Sequence, residues 1–82
     1  MSDLWAILYE EARNRWIEAL RPDRDAQVAL EEWIEQCLVL GPPGSSSSDP
    51  DEERHTSIAN TTIEVVYYAF EHERLILVKL IS

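Results

Sequence analysis

The first half of the chain carries apolar residues at helical intervals. Between Glu10 and Leu20 they recur at spacings of three and four, while the charged residues fall on the other faces. The apolar positions are Ala12, Trp16, Ala19 and Leu20. Pro22 follows, and a proline cannot continue a helix without losing a backbone hydrogen bond. The pattern therefore predicts a first helix over residues 10–20.

A second segment shows the same periodicity, with clear signals at both ends. Asp23 is a suitable N-cap, because its carboxylate can accept a hydrogen bond from a backbone N–H of the first turn. Gly41 and the two prolines that follow it end the pattern. The apolar positions between these signals are Ala26, Leu30, Trp33, Ile34, Cys37 and Leu38. We predict a second helix here, which forms an α-hairpin with the first.

The stretch before the first helix is compatible with two structures. Leu4–Tyr9 is an unbroken apolar run of strand length. It also continues a helical row, which consists of Leu4, Leu8, Ala12, Trp16 and Leu20. Because Asp3 can cap a helix, and Glu10 and Glu11 are good helix formers, the pattern alone favours one helix from Asp3 to Leu20.

Residues 41–53 interrupt this periodicity. Their sequence, GPPGSSSSDPDEE, combines helix breakers, four serines and an acidic cluster, none of which buries apolar surface. We expect a flexible, solvated loop within a single domain that spans residues 1–82. The serines lie beside acidic residues and could also accept phosphate as a regulatory mark.

The last third of the chain is rich in the β-branched and aromatic residues typical of strands. Two strands, Thr62–Phe70 and Leu75–Ile81, flank the polar turn Glu71–Glu73 and should form an antiparallel hairpin. A third strand is expected at His55–Ala59, before a turn at Asn60–Thr61. Both hairpin strands are apolar on both faces, so we expect the helices to cover one face, and a partner or another chain segment to cover part of the other. The pattern predicts an α+β fold in which two helices pack on a small antiparallel sheet.

The charge balance narrows the range of partners. The sequence holds 16 acidic and 7 basic residues, a formal net charge of −9. This charge repels phosphate backbones and anionic lipid, so direct binding of nucleic acid or of a membrane is disfavoured. Cys37 is the single cysteine, which excludes an internal disulfide, and no apolar run approaches the roughly 18 residues of a membrane span. Because Asp3 stands where a signal peptide would carry basic residues, we expect a cytoplasmic protein.

The residues that the predicted hairpin could present together are the candidates for chemistry. They are Arg54, His55, Tyr67, Tyr68, His72, Arg74 and Lys79. Imidazole is the side chain most often used as an acid or base near neutral pH, so the two histidines could act in this way, although their polar surroundings are also those of exposed side chains. Lys79 interrupts an apolar strand and could contact a phosphate or an acidic partner. A lysine on an outward or edge strand more often prevents aggregation, and we favour that interpretation.

No cofactor or metal site is expected. The acidic residues that end the loop are Asp49, Asp51, Glu52 and Glu53. They lack the ordered spacing and central glycine of a calcium-binding loop, so a solvated acidic run is the simpler interpretation. Trp16 and Trp33 fall on apolar helix faces and should belong to the core. Cys37 shares that face and has no basic neighbour in sequence to activate its thiol.

Three stretches of the chain carry a further signal. LWAILYEEARNRW combines an apolar run with an acidic helix start, RPDRDAQVALEEWIEQCL is the second helical segment, and IEVVYYAFEHERLILVKLI is the terminal hairpin. In the last stretch, Val65, Val66 and Tyr67 lead through a polar turn to a strand rich in Leu, Ile and Val. Together these stretches resemble the RelE/ParE family of toxin-antitoxin toxins. The resemblance implies the element order β-α-α-β-β-β, and with it a strand rather than a helix at Leu4–Tyr9.

The resemblance also implies a function. RelE-type toxins are ribosome-dependent RNA-cleaving proteins that use basic and tyrosine side chains on the sheet, and ParE relatives act on DNA gyrase. For this chain the resemblance implies a toxin that an antitoxin partner neutralises. The residues that would contribute to RNA cleavage on the ribosome are Arg54, His55, Tyr67, Arg74 and Lys79. The chain departs from the family pattern in its single lysine and in its acidic charge, which opposes the approach of RNA.

Two other functions stay open on the residues alone. A non-catalytic interaction module would use the apolar face of the hairpin to pair with itself, as a homodimer, or with a different protein. An acidic mimic of nucleic acid would occupy a nucleic-acid-binding protein, and only the charge of −9 suggests it.

Overall fold

The computed structural model describes residues 4–42 and 52–82. Over these residues the chain forms two helices and four strands, so the fold is α+β, as predicted. In chain order the elements are β1 (Ala6–Leu8), α1 (Glu10–Leu20), α2 (Arg24–Leu40), β2 (Arg54–Ser57), β3 (Glu64–Phe70) and β4 (Leu75–Ile81). Most of the predicted loop at residues 41–53 lies outside the described residues.

The two helices have the ends that the sequence predicts. α1 ends where Arg21 adopts a left-handed conformation, with φ of 45°, and donates its N–H to the Ile17 carbonyl directly before Pro22. The Asp23 carboxylate caps α2 by accepting a hydrogen bond from the Ala26 N–H at 2.8 Å. Both signals are local, which is why the sequence pattern alone located them.

The end of α2 fixes the start of β1. Gly41 has φ of 80° and donates its N–H to the Cys37 carbonyl. A Cβ at this position would lie 2.8 Å from Nε1 of Trp5, so the close contact requires glycine as well as the dihedral angle. Trp5 in turn donates its backbone N–H to the Leu38 carbonyl at 2.9 Å. Trp5 therefore holds the N-terminal strand against α2 through both its indole ring and its backbone N–H.

Residues 6–8 form a strand, so the single helix over residues 3–20 that the pattern favoured is wrong. β1 runs parallel to β4, with Ile7 opposite Ile76, and Ile7 lies in the core. Leu4, Leu8 and Leu20, three members of the supposed helical row, are all about half exposed. The equal spacing of these leucines therefore does not mark one continuous helix, because it runs from the β1 segment into α1. The long-range hydrogen bonds of β1 decided its conformation, and no local pattern reports them.

The sheet is mixed rather than antiparallel as predicted. Its strand order is β1-β4-β3-β2, in which β2, β3 and β4 pair antiparallel while β1 joins β4 in parallel. An antiparallel pair can be closed by a short turn, whereas a parallel pair needs a long crossover connection. Here the chain from α1 to β3 supplies that connection. The sequence shows the hairpin through its turn, but it carries no comparable local signal for the parallel pair.

The predicted third strand and hairpin form, with shifted ends. β2 ends two residues early, at Ser57, and β3 begins two residues late, at Glu64. The turn between them is longer than predicted. Asn60 takes a left-handed conformation with φ of 64°, and the Thr61 hydroxyl donates to the Ile58 carbonyl at 2.8 Å. Because of these contacts, the residues on either side of Asn60 and Thr61 belong to the turn and not to the strands.

One face of the sheet, which we call the inner face, packs against the helices. Tyr67 is 1% exposed, and its ring meets Trp33 of α2 edge to face with the centroids 6.2 Å apart. The other large residues of this core are Ile7, Trp16, Leu30, Ile34, Cys37, Ile58, Ile63, Val65, Ile76, Val78 and Ile81. The prediction that the two helical tryptophans and Cys37 belong to the core is therefore confirmed.

A β-bulge in β4 places Ile81 rather than Leu80 on the inner face. Lys79 has no opposite residue on β3, because the register skips it between Val78 and Leu80. An extra residue of this kind shifts the alternation of side chains by one position. Val78 and Ile81 are accordingly buried, while Leu80 is exposed on the other side of the sheet.

We expect Trp33→Ala or Tyr67→Ala to lower the free energy of unfolding by about 3–5 kcal/mol, because each removes a buried aromatic side chain. Urea denaturation followed by circular dichroism measures the change. Ile76→Val, which should cost about 1 kcal/mol, keeps the test measurable if the aromatic variants do not fold. Val39→Ala on the exposed side of α2 is the control and should stay within about 0.5 kcal/mol. An aromatic variant as stable as this control would show that the core lies elsewhere.

Candidate functional site

The second face of the sheet, which we call the outer face, consists of the side chains that alternate with those of the core. Its members are Ala6 and Leu8 on β1, Leu75, Leu77 and Leu80 on β4, Val66, Tyr68 and Phe70 on β3, and His55 on β2. Among the described residues, no helix packs on this face, since the buried residues of α1 and α2 all belong to the inner core. This agrees with the prediction that the helices cover one face of the sheet.

Several large apolar side chains of the outer face are accessible to solvent. Leu8 is 51% exposed, Leu77 37% and Leu80 50%. The strand register lines up Leu8, Leu77 and Tyr68 in one row across three strands. Val66 is buried without belonging to the inner core, so its neighbours on the outer face must cover it. Contiguous exposed apolar surface of this kind is a common property of binding surfaces.

A polar cluster lies on the β2 side of this face, around the carboxylate of Glu53. Lys79 donates to this carboxylate at 2.9 Å, and the Tyr68 hydroxyl donates to it at 3.3 Å. Nε2 of His55 lies 3.3 Å from the other carboxylate oxygen. We call these four residues the Glu53 cluster. They come from three strands and the residue before β2, so only the assembled sheet brings them together.

The contacts shift the pKa values of both charged partners. The hydrogen bond that Lys79 donates, with its positive charge, lowers the pKa of Glu53. The same hydrogen bond raises the pKa of Lys79. At neutral pH the pair therefore consists of a carboxylate and an ammonium, and each largely neutralises the other.

Arg54 and Tyr67, two further candidates from the sequence, lie on the inner face. Successive residues of a strand point to opposite faces, so Arg54 cannot share a face with its neighbour His55. Burial raises the pKa of the Tyr67 hydroxyl, and the nearby positive charge of Arg54 opposes this effect. These two residues lie on the side of the sheet opposite the Glu53 cluster and do not join it.

Arg74 and His72, the remaining candidates, lie in the turn between β3 and β4. Arg74 has φ of 50°, and its N–H donates to the Glu71 carbonyl at 3.2 Å, so the turn is one residue longer than predicted. The Arg74 carbonyl accepts the N–H of Ala6 at 2.8 Å. The backbone of Arg74 therefore connects the turn to β1, while His72 is exposed. The predicted candidates thus separate into three places and do not form one site.

Two interpretations of the sequence can be compared with the structure. The sequence suggests an edge or outward position for Lys79; β4 is an interior strand, so Lys79 lies outward on the sheet, where it pairs with Glu53, and its role against aggregation stays a prediction. The sequence also places Glu53 in a solvated acidic run, whereas its carboxylate contacts three side chains. A signal for Glu53 exists, because it precedes His55 by two residues and so shares a face with it on an extended chain. Asp49 and Asp51 lie outside the described residues.

The other possible sites are unfavourable for chemistry. Across residues 4–42 and 52–82, no group of three or more His, Cys, Asp and Glu residues is placed to hold a metal ion. Burial raises the pKa of the Cys37 thiol to about 11, so the thiol stays protonated at neutral pH and is a poor nucleophile. Neither of the helices in the described ranges combines the length and the apolar character needed to cross a membrane.

No protein-family model, no curated protein and no solved structure matches this chain. The resemblance to the RelE/ParE family therefore stays an expectation from the sequence.

We expect Lys79→Gln to raise the pKa of Glu53, because the variant removes the ammonium that lowers it. NMR titration of the Glu53 carboxyl carbon measures this pKa directly. Arg15→Gln is the control, since it removes a cation that pairs with Glu11 at 2.6 Å on α1, away from the cluster. A pKa of Glu53 that does not change in Lys79→Gln would show that the pair does not persist in solution.

The same pair predicts a pH dependence. Because the folded-state pKa of Glu53 is lowered, any stability from the pair is present above the ordinary pKa of a glutamate and is lost as the pH falls through the lowered value. Because the pKa of Lys79 is raised, that stability is also lost as the pH rises through the raised value. The difference in thermal stability between the parent and Lys79→Gln should therefore vanish at low pH. A difference that is constant from acid to neutral pH would contradict this assignment.

Proposed function

We propose that this protein acts by binding another protein on the outer face of its sheet, as a non-catalytic interaction module. The observation that carries the proposal is the set of leucines on this face that are one third to one half exposed, Leu8, Leu77 and Leu80. Fully burying one side chain of this size is worth about 1.5–3 kcal/mol. A partner that covers the outer face would bury these leucines further, and the complex would gain part of this free energy from each of them.

The charge favours a protein partner over a nucleic acid. The net charge is −9, and Lys79 is the only lysine in the sequence. A phosphate that approaches Lys79 would have to compete with the Glu53 carboxylate, which already holds the ammonium at 2.9 Å. A polar cluster beside an apolar surface instead suits the rim of a protein interface, where side chains exchange hydrogen bonds with the partner and with water.

The Glu53 cluster is poorly arranged for catalysis. A general acid and a general base must both reach the reacting group of a substrate. Here Lys79, Tyr68 and His55 all converge on one carboxylate. The positive charge of Lys79 is thereby neutralised, and it does not provide the preorganised stabilisation that a phosphoryl transition state needs.

A second proposal is that the chain is a RelE/ParE-like toxin and that the partner is its antitoxin. The element order β-α-α-β-β-β supports it, because this is the order that the sequence resemblance implies. In this case the antitoxin would cover the outer face and mask His55, Tyr68 and Lys79, and the ribosome would be the target. Contact with RNA would require Lys79 to exchange the Glu53 carboxylate for a phosphate.

We expect Leu77→Glu to abolish binding to a protein partner, because it places a charge at the centre of the apolar face. Co-purification with the product of the neighbouring gene tests for a different partner, and sedimentation across a range of concentrations tests for a homodimer. Val28→Glu on α2 is the control, since Val28 is exposed to a similar degree but lies on a helix. A monomer at every concentration, together with co-purification that Leu77→Glu leaves intact, would exclude the outer face as the binding surface.

The toxin proposal predicts growth arrest when the chain is expressed alone, with relief when the neighbouring gene product is co-expressed. Purified protein should then cleave messenger RNA on ribosomes, and a double variant His55→Gln with Lys79→Gln should reduce the cleavage. Normal growth and no ribosome-dependent cleavage would reject an active toxin and leave the interaction module.

A further inference from the structure

β2 has an open edge with a defined set of unpaired backbone groups. It is the last strand of the order β1-β4-β3-β2, and among residues 4–42 and 52–82 it pairs only with β3. The Ile58 N–H donates to the Ile63 carbonyl at 3.0 Å. Because an antiparallel ladder alternates hydrogen-bonded and non-hydrogen-bonded pairs, His55 and Ser57 direct their N–H and C=O groups away from β3. No backbone group among the described residues pairs with them.

An apolar cleft adjoins this edge. It measures about 270 Å³ and lies between β2 and the end of α2, which contributes Trp33, Cys37 and Leu40. Thr56 and Ser57 close it on the strand side. The volume is just below the about 300–1,000 Å³ found for sites of small molecules. It suits one large side chain of a peptide better than a whole ligand.

The edge and the cleft are arranged for the same kind of ligand. A short polar edge strand alone is an ordinary protection against aggregation. An extended segment that pairs with β2 would direct alternate side chains to the helix side of the sheet, where the cleft opens. The backbone hydrogen bonds would then hold the segment, and the cleft would select the side chain that enters it. Leu40, which is 80% exposed, would be covered in this complex.

A second copy of this chain does not fit the cleft. If β2 paired with its own copy, the side chains on the helix side would be Arg54 and Thr56, which are polar. Each copy also carries a charge of −9, so two copies repel each other. Glu64 faces Ser57 at one end of the edge, and the chain as a whole is acidic, whereas the charge of Glu53 is already balanced by Lys79. These acidic surroundings favour a segment with basic residues on both sides of its apolar side chain.

We propose that the open edge of β2 and the adjoining cleft bind an extended segment of a partner protein. The segment adds a fifth strand to the sheet, inserts one large apolar side chain between β2 and α2, and carries lysine or arginine on either side of it. This surface is separate from the outer face, and the proposal does not depend on the function proposed above.

Selection from a displayed library of random eight-residue peptides tests the proposal with the full chain as bait. We expect the enriched peptides to share one large apolar residue flanked by basic residues. Ser57→Pro removes an N–H of the open edge, where proline is tolerated, and Leu40→Ser opens the apolar wall of the cleft. Each variant should weaken the binding of an enriched peptide by about tenfold or more, a loss of about 1.4 kcal/mol or more.

Val39→Ser and Val28→Ser are the matched controls. Val39 is 65% exposed and is the neighbour of Leu40 without lining the cleft, and Val28 is 41% exposed nearer the start of α2. Both variants should bind the enriched peptide within about twofold of the parent, which is under about 0.5 kcal/mol. Circular dichroism confirms that each variant is folded, and NMR should show slowed exchange of the His55 and Ser57 amides in the complex.

Three results would overturn the proposal. The first is a library that yields no enriched peptide. The second is an enriched peptide whose binding is the same in Ser57→Pro and Leu40→Ser as in the parent. The third is a dimer of the isolated protein that Ser57→Pro dissociates, because a second copy would then occupy the edge.

Discussion

Both helices of this protein pack on one side of its sheet, and the strands are apolar on both sides. The inner face is closed by the contact of Tyr67 with Trp33 and by the residues around it. No described element remains for the outer face, so its leucines stay accessible. The position of the helices therefore determines which surfaces of a chain this short are left to interact with other molecules.

The short strand β1 makes this arrangement possible. It pairs with three residues of β4, and Trp5 joins it to the end of α2 through a backbone hydrogen bond and through the contact with Gly41. β1 thereby connects the sheet directly to the helical layer. It also ends opposite Leu77, so Leu8 extends the apolar row of the outer face by one strand.

The two proposed binding surfaces differ in the forces that they use. The outer face offers apolar area with one neutralised ion pair at its side, which suits a broad contact whose specificity comes from shape. The edge of β2 offers directional backbone groups and room for one side chain, which suits a short extended segment. The acidic charge of the chain acts on both, since it repels nucleic acid and attracts basic protein segments.

The sequence alone determined the features that depend on neighbours along the chain. The caps at Pro22 and Asp23, the hairpin with its turn after Phe70, and the core tryptophans of both helices all follow from spacing and turn chemistry. The split of the candidate residues between the two faces also follows in part, because Arg54 and His55 are adjacent on a strand.

The tertiary structure decided the rest, because it depends on contacts between residues far apart in sequence. The conformation of residues 6–8 is set by backbone partners at Leu38 and in β4, which a helical spacing of leucines cannot reveal. Glu53 becomes the centre of a cluster only because the pairing of three strands brings its partners within reach. Local pattern thus gave the two helices and the hairpin, whereas packing determined the first strand, which side chains meet and which surfaces stay open.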